Sequence, residues 1–177
     1  LLEIDWSRLE ALIAAEMFWI FTGKHIFADD LQSGRKPDFH DETLERFPFL
    51  LNRTKAKNAN FSTIFGGRGY TLVQEYGFTW PQAKEFVNDL TVVHYPEMSE
   101  FFNIRQRDCI NTGYAEHPYT KRGRHTTNYN EFLNAPVQGI ASDYNKIMTI
   151  TLHDMLSYGY ESHVCAEVHD SIIVDVK

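Results

Sequence analysis

The chain has 177 residues, 43% of them hydrophobic and 14% aromatic, which is enough for one sizeable core or two small lobes and excludes a disordered polypeptide. Its formal net charge of −7 excludes a uniformly basic surface of the kind that coats nucleic acid. Basic residues nevertheless cluster at Asn52–Lys57 and Tyr119–His125, and acidic ones at Phe27–Gln32 and Asp38–Glu45, so either oppositely charged faces or ordinary solvated surfaces are expected.

No run of about 18 uncharged apolar residues occurs, and the opening "LLEIDWSRLE" lacks the basic region and cleavage site of a signal peptide; the expectation is a soluble, cytoplasmic protein with no membrane partner. The first residue is not Met and the chain starts inside an apolar run, so a fragment of a longer protein is expected. Cys109 and Cys165 have no paired spacing and are read as reduced thiols.

In chain order, residues 1–5 read as a short strand. Residues 7–21 read as a helix with Leu9, Leu12, Ile13, Met17 and Ile20 on one face, a Ser7/Glu10 capping box at its start and Gly23 at its end. Residues 22–50 look polar and irregular, with Pro37 and Pro48 as breakers and a short helix over 40–47. A helix over 51–65 is closed by Gly66-Gly67, and helices over 80–94 and 96–112 each have a Pro near the first turn. Residues 113–125 suit a hairpin or an extended loop. Residues 130–159 form a long helical region in which Pro136 and Gly139 imply an irregular beginning, and 161–176 reads as two short strands meeting at His169-Asp170.

Two features carry chemistry. Asp5 and Asp170 stand at strand ends among apolar neighbours, where an unpaired charge is costly, and on adjacent strands they could hold divalent cations through hard oxygen ligands. As isolated residues they are equally a helix-leading residue and a turn residue. Arg53, Lys57, Phe61 and Phe65 recur every four residues, giving a helical stripe with a basic end for a polyphosphate and an aromatic end for a base or sugar; a core helix with a solvated start is the alternative.

Taken in order, these residues resemble the motifs of the family A DNA polymerases, the bacterial polymerase I and phage type. Asp5, Ser7 and Glu10 are similar to D-x-S-x-x-E. Asp38-Phe39-His40 resembles D-I-H, and Arg53, Lys57, Phe61 and Phe65-Gly66 resemble the R-x3-K fingers motif with its two aromatics. His94-Tyr95-Pro96, residues 134–143 ("NAPVQGIASD") and Val168-His169-Asp170 complete the series.

The resemblance implies an α+β fold: a polymerase palm with a small antiparallel sheet over residues 1–21 and 116–177, and helical fingers over 22–115, without thumb or exonuclease domains, which the full-length protein would carry upstream. It implies two Mg²⁺ ions held by Asp5, Asp170 and the Trp6 backbone carbonyl, with Asp5 and Asp170 catalytic. His40, Arg53 and Lys57 would contact the triphosphate, Phe61 the sugar and base, and Phe65 would close the pocket. Glu10 would act as a gate against the 2′-hydroxyl, a role that competes with capping. Asn134, Gln138 and His169 would contact primer-template DNA, Asn134 and Gln138 in the minor groove and His169 at the primer end. The implied function is template-directed DNA synthesis from deoxynucleoside triphosphates. A binding fragment without turnover, and a single-subunit RNA polymerase or reverse transcriptase, remain open. Leu12, Phe65, Asn130 and Ser171 depart from the family pattern and suggest a phage or viral source.

Overall fold

The computed structural model describes residues 1–6, 8–34, 38–168 and 171–177. Ser7, Arg35, Lys36, Pro37, His169 and Asp170, with the capping, breaker, metal and primer expectations that fall on them, lie outside the described residues. Among the described residues, no helix is long and apolar enough to cross a membrane.

Helix α1 (Leu9–Thr22) is apolar on most of its circumference, and such a helix is stable in water only when neighbours cover it on several sides. It packs against α2 (Ile26–Gln32), α4 (Arg53–Ile64), α7 (Pro96–Thr112) and α8 (Tyr129–Leu156). Ala11, Ala14 and Ala15 are buried along with Ile13, Met17 and Phe18, whereas Leu9, Leu12 and Ile20 of the expected stripe are only half-buried. Arg8 is the N-cap, in the left-handed region at φ 66°, with no side-chain cap bond. Glu10 falls on the second position of the helix, while the capping-box expectation rests on Ser7, outside the described residues. Gly23 ends α1 as expected, at φ 72°.

The expected irregular stretch over 22–50 is instead mostly helical. Helix α2 is short and lacks its own cap, but α7 stabilises it from a distance: the buried Glu97 carboxylate accepts the Phe27 N–H at 2.7 Å, and the Tyr95 hydroxyl pairs with Asp30. The Tyr-Pro pair thus has a structural reading, since Pro96 opens α7 and its neighbours clamp α2. Helix α3 (Phe39–Arg46) starts from a capping box between Asp38 and Asp41, and a 3₁₀ turn over Pro48–Leu50 leads to α4, capped by Asn52.

Helix α4 ends at Phe65-Gly66. Gly66 has φ 87°, and a Cβ there would stand 2.4 Å from Leu133 Cδ1 on α8, so only glycine fits both the backbone and the contact. Helix α5 (Tyr70–Tyr76), which no periodicity announces, precedes α6 (Trp80–Asn88). Helix α6 runs into a π-helical turn over Asp89–His94, and α7 follows with the expected bounds.

Strands β2 (Tyr114–Glu116) and β3 (Gly123–His125) form the antiparallel hairpin that was one of two alternatives for that segment. Arg122 pairs with Asp143 on α8 and lies over Gly139, whose absent Cβ would sit 3.1 Å from Arg122 Nε. The irregular beginning expected of α8 is not observed. The helix is continuous over Tyr129–Leu156 with Pro136 inside it, because Pro136 is buried beside Phe132, Leu133, Val137 and Ile140, and this packing offsets one lost backbone bond.

Strands β1 (Leu2–Asp5), β5 (Ser171–Asp175) and β4 (His163–Val168) make an antiparallel sheet in the order β1-β5-β4. Only the central strand is buried, through Ile172 and Val174; β1 is exposed throughout, so the apolar surroundings expected for Asp5 are not found. β1 is an edge strand, and its apolar residues face solvent here.

Phe18 is 1% exposed and its ring meets Phe27, Phe101 and Phe102 at centroid distances of 6.0, 5.0 and 6.2 Å. Phe18→Ala is expected to lower the unfolding free energy by about 3–5 kcal/mol in urea titrations, while Trp19→Ala, at a half-exposed ring on the next position, lowers it by less than about 1 kcal/mol.

Candidate active site

Asp5 closes β1 directly opposite Ser171, the first residue of β5. Just beyond it, the Trp6 indole N–H donates to Asn145 Oδ1 on α8 at 3.2 Å, which pins the turn from the sheet into α1. Arg8 donates from Nη1 to the Leu31 carbonyl at 3.2 Å. These residues and Glu10 form one side of a cleft of about 500 Å³. The other side is the α4 stripe of Arg53, Lys57, Phe61 and Phe65, with His40 of α3 between. Positions spread over the first 65 residues therefore converge on one space, with Asp5, Arg8 and Glu10 at the β1–α1 side and Arg53 and Lys57 on α4.

The stripe has the two expected ends. The Phe61 and Phe65 rings stack at 5.9 Å with an interplanar angle of 13°, and Lys57 Nζ lies 5.6 Å from the Phe61 centroid. Arg53 is held by two carboxylates: Nη2 donates to Asp38, and Nε donates to Asp41 Oδ1 at 2.9 Å. Asp38 is 5% exposed. Burial alone would raise its pKa, but the Asp41 backbone N–H and the Arg53 guanidinium outweigh that and hold the carboxyl down at about 2. His40 is likewise lowered from its ordinary value, to about 4, chiefly by burial; Asp38 opposes this, while Arg53, Lys57 and Arg8 reinforce it. The cleft thus presents a neutral imidazole between cations at neutral pH.

The remaining expected positions are not in this cleft. Asn134 and Gln138 line a separate groove of about 200 Å³ on α8, with Arg124 and Asn128 at its edge, and Asn134 Oδ1 is buried without a hydrogen-bond partner among the described residues. His169 and Asp170 lie outside the described residues. Ser171, which replaces an acidic residue, is 5% exposed and its hydroxyl donates to the Val168 carbonyl at 3.0 Å. At that depth an ionised carboxylate would need a partner, whereas a hydroxyl closes the link between β4 and β5.

The family model described as DNA polymerase family A matches residues 1–177. The chain belongs to DNA polymerase family A. It is 26% identical over 196 residues to DNA polymerase I of Lactococcus lactis subsp. lactis (strain IL1403), and 27% identical over 196 residues to DNA polymerase I of Streptococcus pneumoniae serotype 4. Each match covers 99% of this chain but only 22% of the relative, so this family A chain spans about a fifth of the length of these curated relatives. Among solved structures it is similar to the POL domain of Pol1 from M. smegmatis, in complex with DNA primer-template and dNTP, with a TM-score of 0.72 and 22% identity over 98% of this chain and 33% of that one. That likeness gives the fold: helices around small antiparallel sheets, as in a polymerase domain.

Three residues at the site of this family A chain carry no expected role of their own. Arg8 lines the cleft, Asp38 ties its walls, and Asn60 is 0% exposed behind His40, to whose Nδ1 its amide lies at 3.0 Å. The sequence signals Asp38 only through its place before a short helix and beside His40; nothing local marks Arg8 or Asn60.

The two shifted groups set an acid response. Between about pH 6.5 and 4 the unfolded chain binds a proton at His40 that the folded chain excludes, and between about 3.8 and 2 the same holds for Asp38. Both make stability fall as pH falls, His40 by up to about 3 kcal/mol once its whole window is crossed. In urea titrations the difference in unfolding free energy between the parent chain and His40→Gln should narrow as pH drops from 7 to 4. A constant difference across that range would contradict the assignment.

Proposed function

We propose that this chain carries the nucleotidyl-transfer centre of a template-directed DNA polymerase, adding deoxynucleotides to a primer 3′ end. The observation that carries this reading is the convergence of Asp5, Glu10, His40, Arg53, Lys57 and the stacked Phe61–Phe65 pair on one cleft. The names of the polymerase I relatives, and the primer-template and dNTP bound to the similar POL domain, support DNA and deoxynucleoside triphosphates as the partners.

In this reading the basic end of α4 takes the triphosphate. Lys57 and Arg53 supply positive charge where negative charge moves onto the pyrophosphate, and His40 adds a hydrogen bond from an uncharged ring. The Phe61 face packs on the incoming sugar and base, Phe65 closes the pocket beside it, and Glu10 on the opposite wall crowds the 2′ position. Phe65 has no hydroxyl to engage Glu10, so the gate depends on the carboxylate's own placement. The groove holding Asn134 and Gln138 would face the minor groove of primer-template DNA, where those side chains can read the acceptors common to correct pairs. His169 is assigned to the primer end. The segment over residues 22–115 acts as fingers, and residues 1–21 and 116–177 as the palm.

Divalent cations fit the donor chemistry at the sheet end. Asp5 offers hard carboxylate oxygens at the cleft rim and is solvent-exposed, and the residue opposite it, Ser171, directly follows Asp170 in the chain. Asp5, Asp170 and the Trp6 carbonyl would hold two Mg²⁺ ions, which when bound would acidify the primer hydroxyl and neutralise the triphosphate.

Primer extension with dNTPs and Mg²⁺ tests the reading. Asp5→Ala and Asp170→Ala should each reduce extension by at least about a hundredfold without changing the unfolding midpoint by more than a small fraction, and Lys57→Ala should raise the KM for dNTP. Unchanged extension in either aspartate variant would exclude the centre proposed. Preference for rNTPs or for an RNA template would assign the chemistry to an RNA polymerase or reverse transcriptase, and salt-sensitive DNA binding without extension would assign the chain to binding alone.

A further inference from the structure

We infer that Asn60 is a positioning residue that fixes the tautomer of His40, so that the ring offers an Nε2–H donor to phosphate in the cleft. The inference rests on the proposed phosphate-facing role of His40, but its core is a chain of buried hydrogen bonds that does not depend on it.

The chain begins at a group whose polarity is certain. The Phe39 carbonyl can only accept, and Thr43 Oγ1 lies 2.7 Å from it, so the single hydroxyl proton of Thr43 is spent there. Thr43 Oγ1 lies 3.0 Å from the Asn60 amide nitrogen and 3.2 Å from Asn60 Oδ1, and with its proton given to Phe39 it accepts from the nearer nitrogen. The Asn60 amide atom at 3.0 Å from Thr43 Oγ1 is the same atom that lies 3.0 Å from His40 Nδ1, so it is the nitrogen, with one N–H for each. His40 Nδ1 therefore accepts, and the ring proton sits on Nε2. Asn60 and Thr43 are both 0% exposed, so no water can substitute for either partner.

The opposite amide orientation would bring Asn60 Oδ1 from 3.2 to 3.0 Å of a threonine oxygen whose proton is already donated, and it would need the His40 proton on Nδ1; the position of that proton therefore tells the two orientations apart. Protonating His40 is disfavoured, because an Nδ1–H would face the Asn60 N–H. The charged groups around the ring agree: Arg53 and Lys57 on α4 and Arg8 before α1 all oppose a positive imidazole, and only Asp38 at the α3 N-cap favours one. Aromatic contacts from Phe39 at 3.9 Å and Phe61 at 5.6 Å hold the ring plane. With Nδ1 committed to the buried amide, Nε2 is the polar atom left for the cleft that His40 lines. A ring of the other tautomer would turn a lone pair towards the phosphate oxygens and repel them.

Long-range ¹H–¹⁵N correlation spectra of the 177-residue chain test this directly, with the His40 signals assigned by their loss in His40→Gln. The parent chain should show a non-protonated Nδ1 and a protonated Nε2, with no titration between pH 5 and 8. In Asn60→Asp the acceptor carboxylate should move the proton to Nδ1 and bring the His40 titration into that range. Should Asn60→Asp fail to fold, the parent spectrum alone decides: a proton on Nδ1, or a midpoint near 6.5, overturns the inference. So does a folded Asn60→Asp in which neither tautomer nor midpoint moves. Adding inorganic triphosphate should then shift Nε2 and its proton but leave Nδ1 in place. An Nε2–H tautomer that triphosphate does not perturb would overturn the phosphate-facing role of His40 while leaving the Asn60 control standing, so the two failures are distinguishable.

Discussion

The buried carboxylate of Asp38 is the tie on which the cleft depends. One oxygen accepts the backbone N–H groups of His40 and Asp41 at 3.0 and 3.1 Å and so starts α3; the other pairs with Arg53 of α4 and lies 3.8 Å from Arg8 at the start of α1. Three segments that are far apart in sequence are fixed at one point by one charge. A carboxylate this deep is tolerable only because its desolvation is offset on both oxygens, and removing either cation would leave a buried charge underpaired. The placement of His40 follows from the helix that Asp38 starts, and the placement of the α4 stripe follows from the ion pair.

The far ends of the elements are held by packing instead. Helix α1 is covered by four neighbouring helices, Gly66 admits Leu133 of α8 against the end of α4, and Trp6 bonds across to Asn145 in the same long helix. Helix α8 thus braces both the sheet side and the aromatic side of the cleft, which gives its unbroken length a purpose despite Pro136. The overall charge of −7 says little about such a site, because the cleft gathers the cations Arg8, Arg53 and Lys57 locally beside Asp5 and Glu10.

What the sequence revealed was what local chemistry decides. The bounds of α7 follow from Pro96 at one end and Gly113 at the other, and the α4 stripe follows from a four-residue repeat. Helix α2 was not legible because its cap, Glu97, comes from 70 residues away. The exposure of β1 was not legible because apolar residues on an edge strand look the same as those on a buried one, and only the strand order separates β1 from β5. The motif residues of the cleft could be found from their order along the chain. Their supports, Asn60 above all, could not, since an asparagine within a polar helix carries no mark of the histidine it meets.

The two cations of the stripe are held differently, and that orders their encounter with an anion. Arg53 is engaged by Asp38 and Asp41, whereas Lys57 has no carboxylate partner among the described residues and rests over the Phe61 ring. An exposed ammonium over a ring is held by about 1 kcal/mol or less, and it can swing to a phosphate without breaking an ion pair. Arg53 can turn to the phosphate only by sharing its guanidinium with two carboxylates, one of which starts the helix that carries His40. Under the proposed function, Lys57 would therefore be the first contact for an entering polyphosphate. Engagement of Arg53 would come second and would reach α3 through Asp38, whose other cation is Arg8.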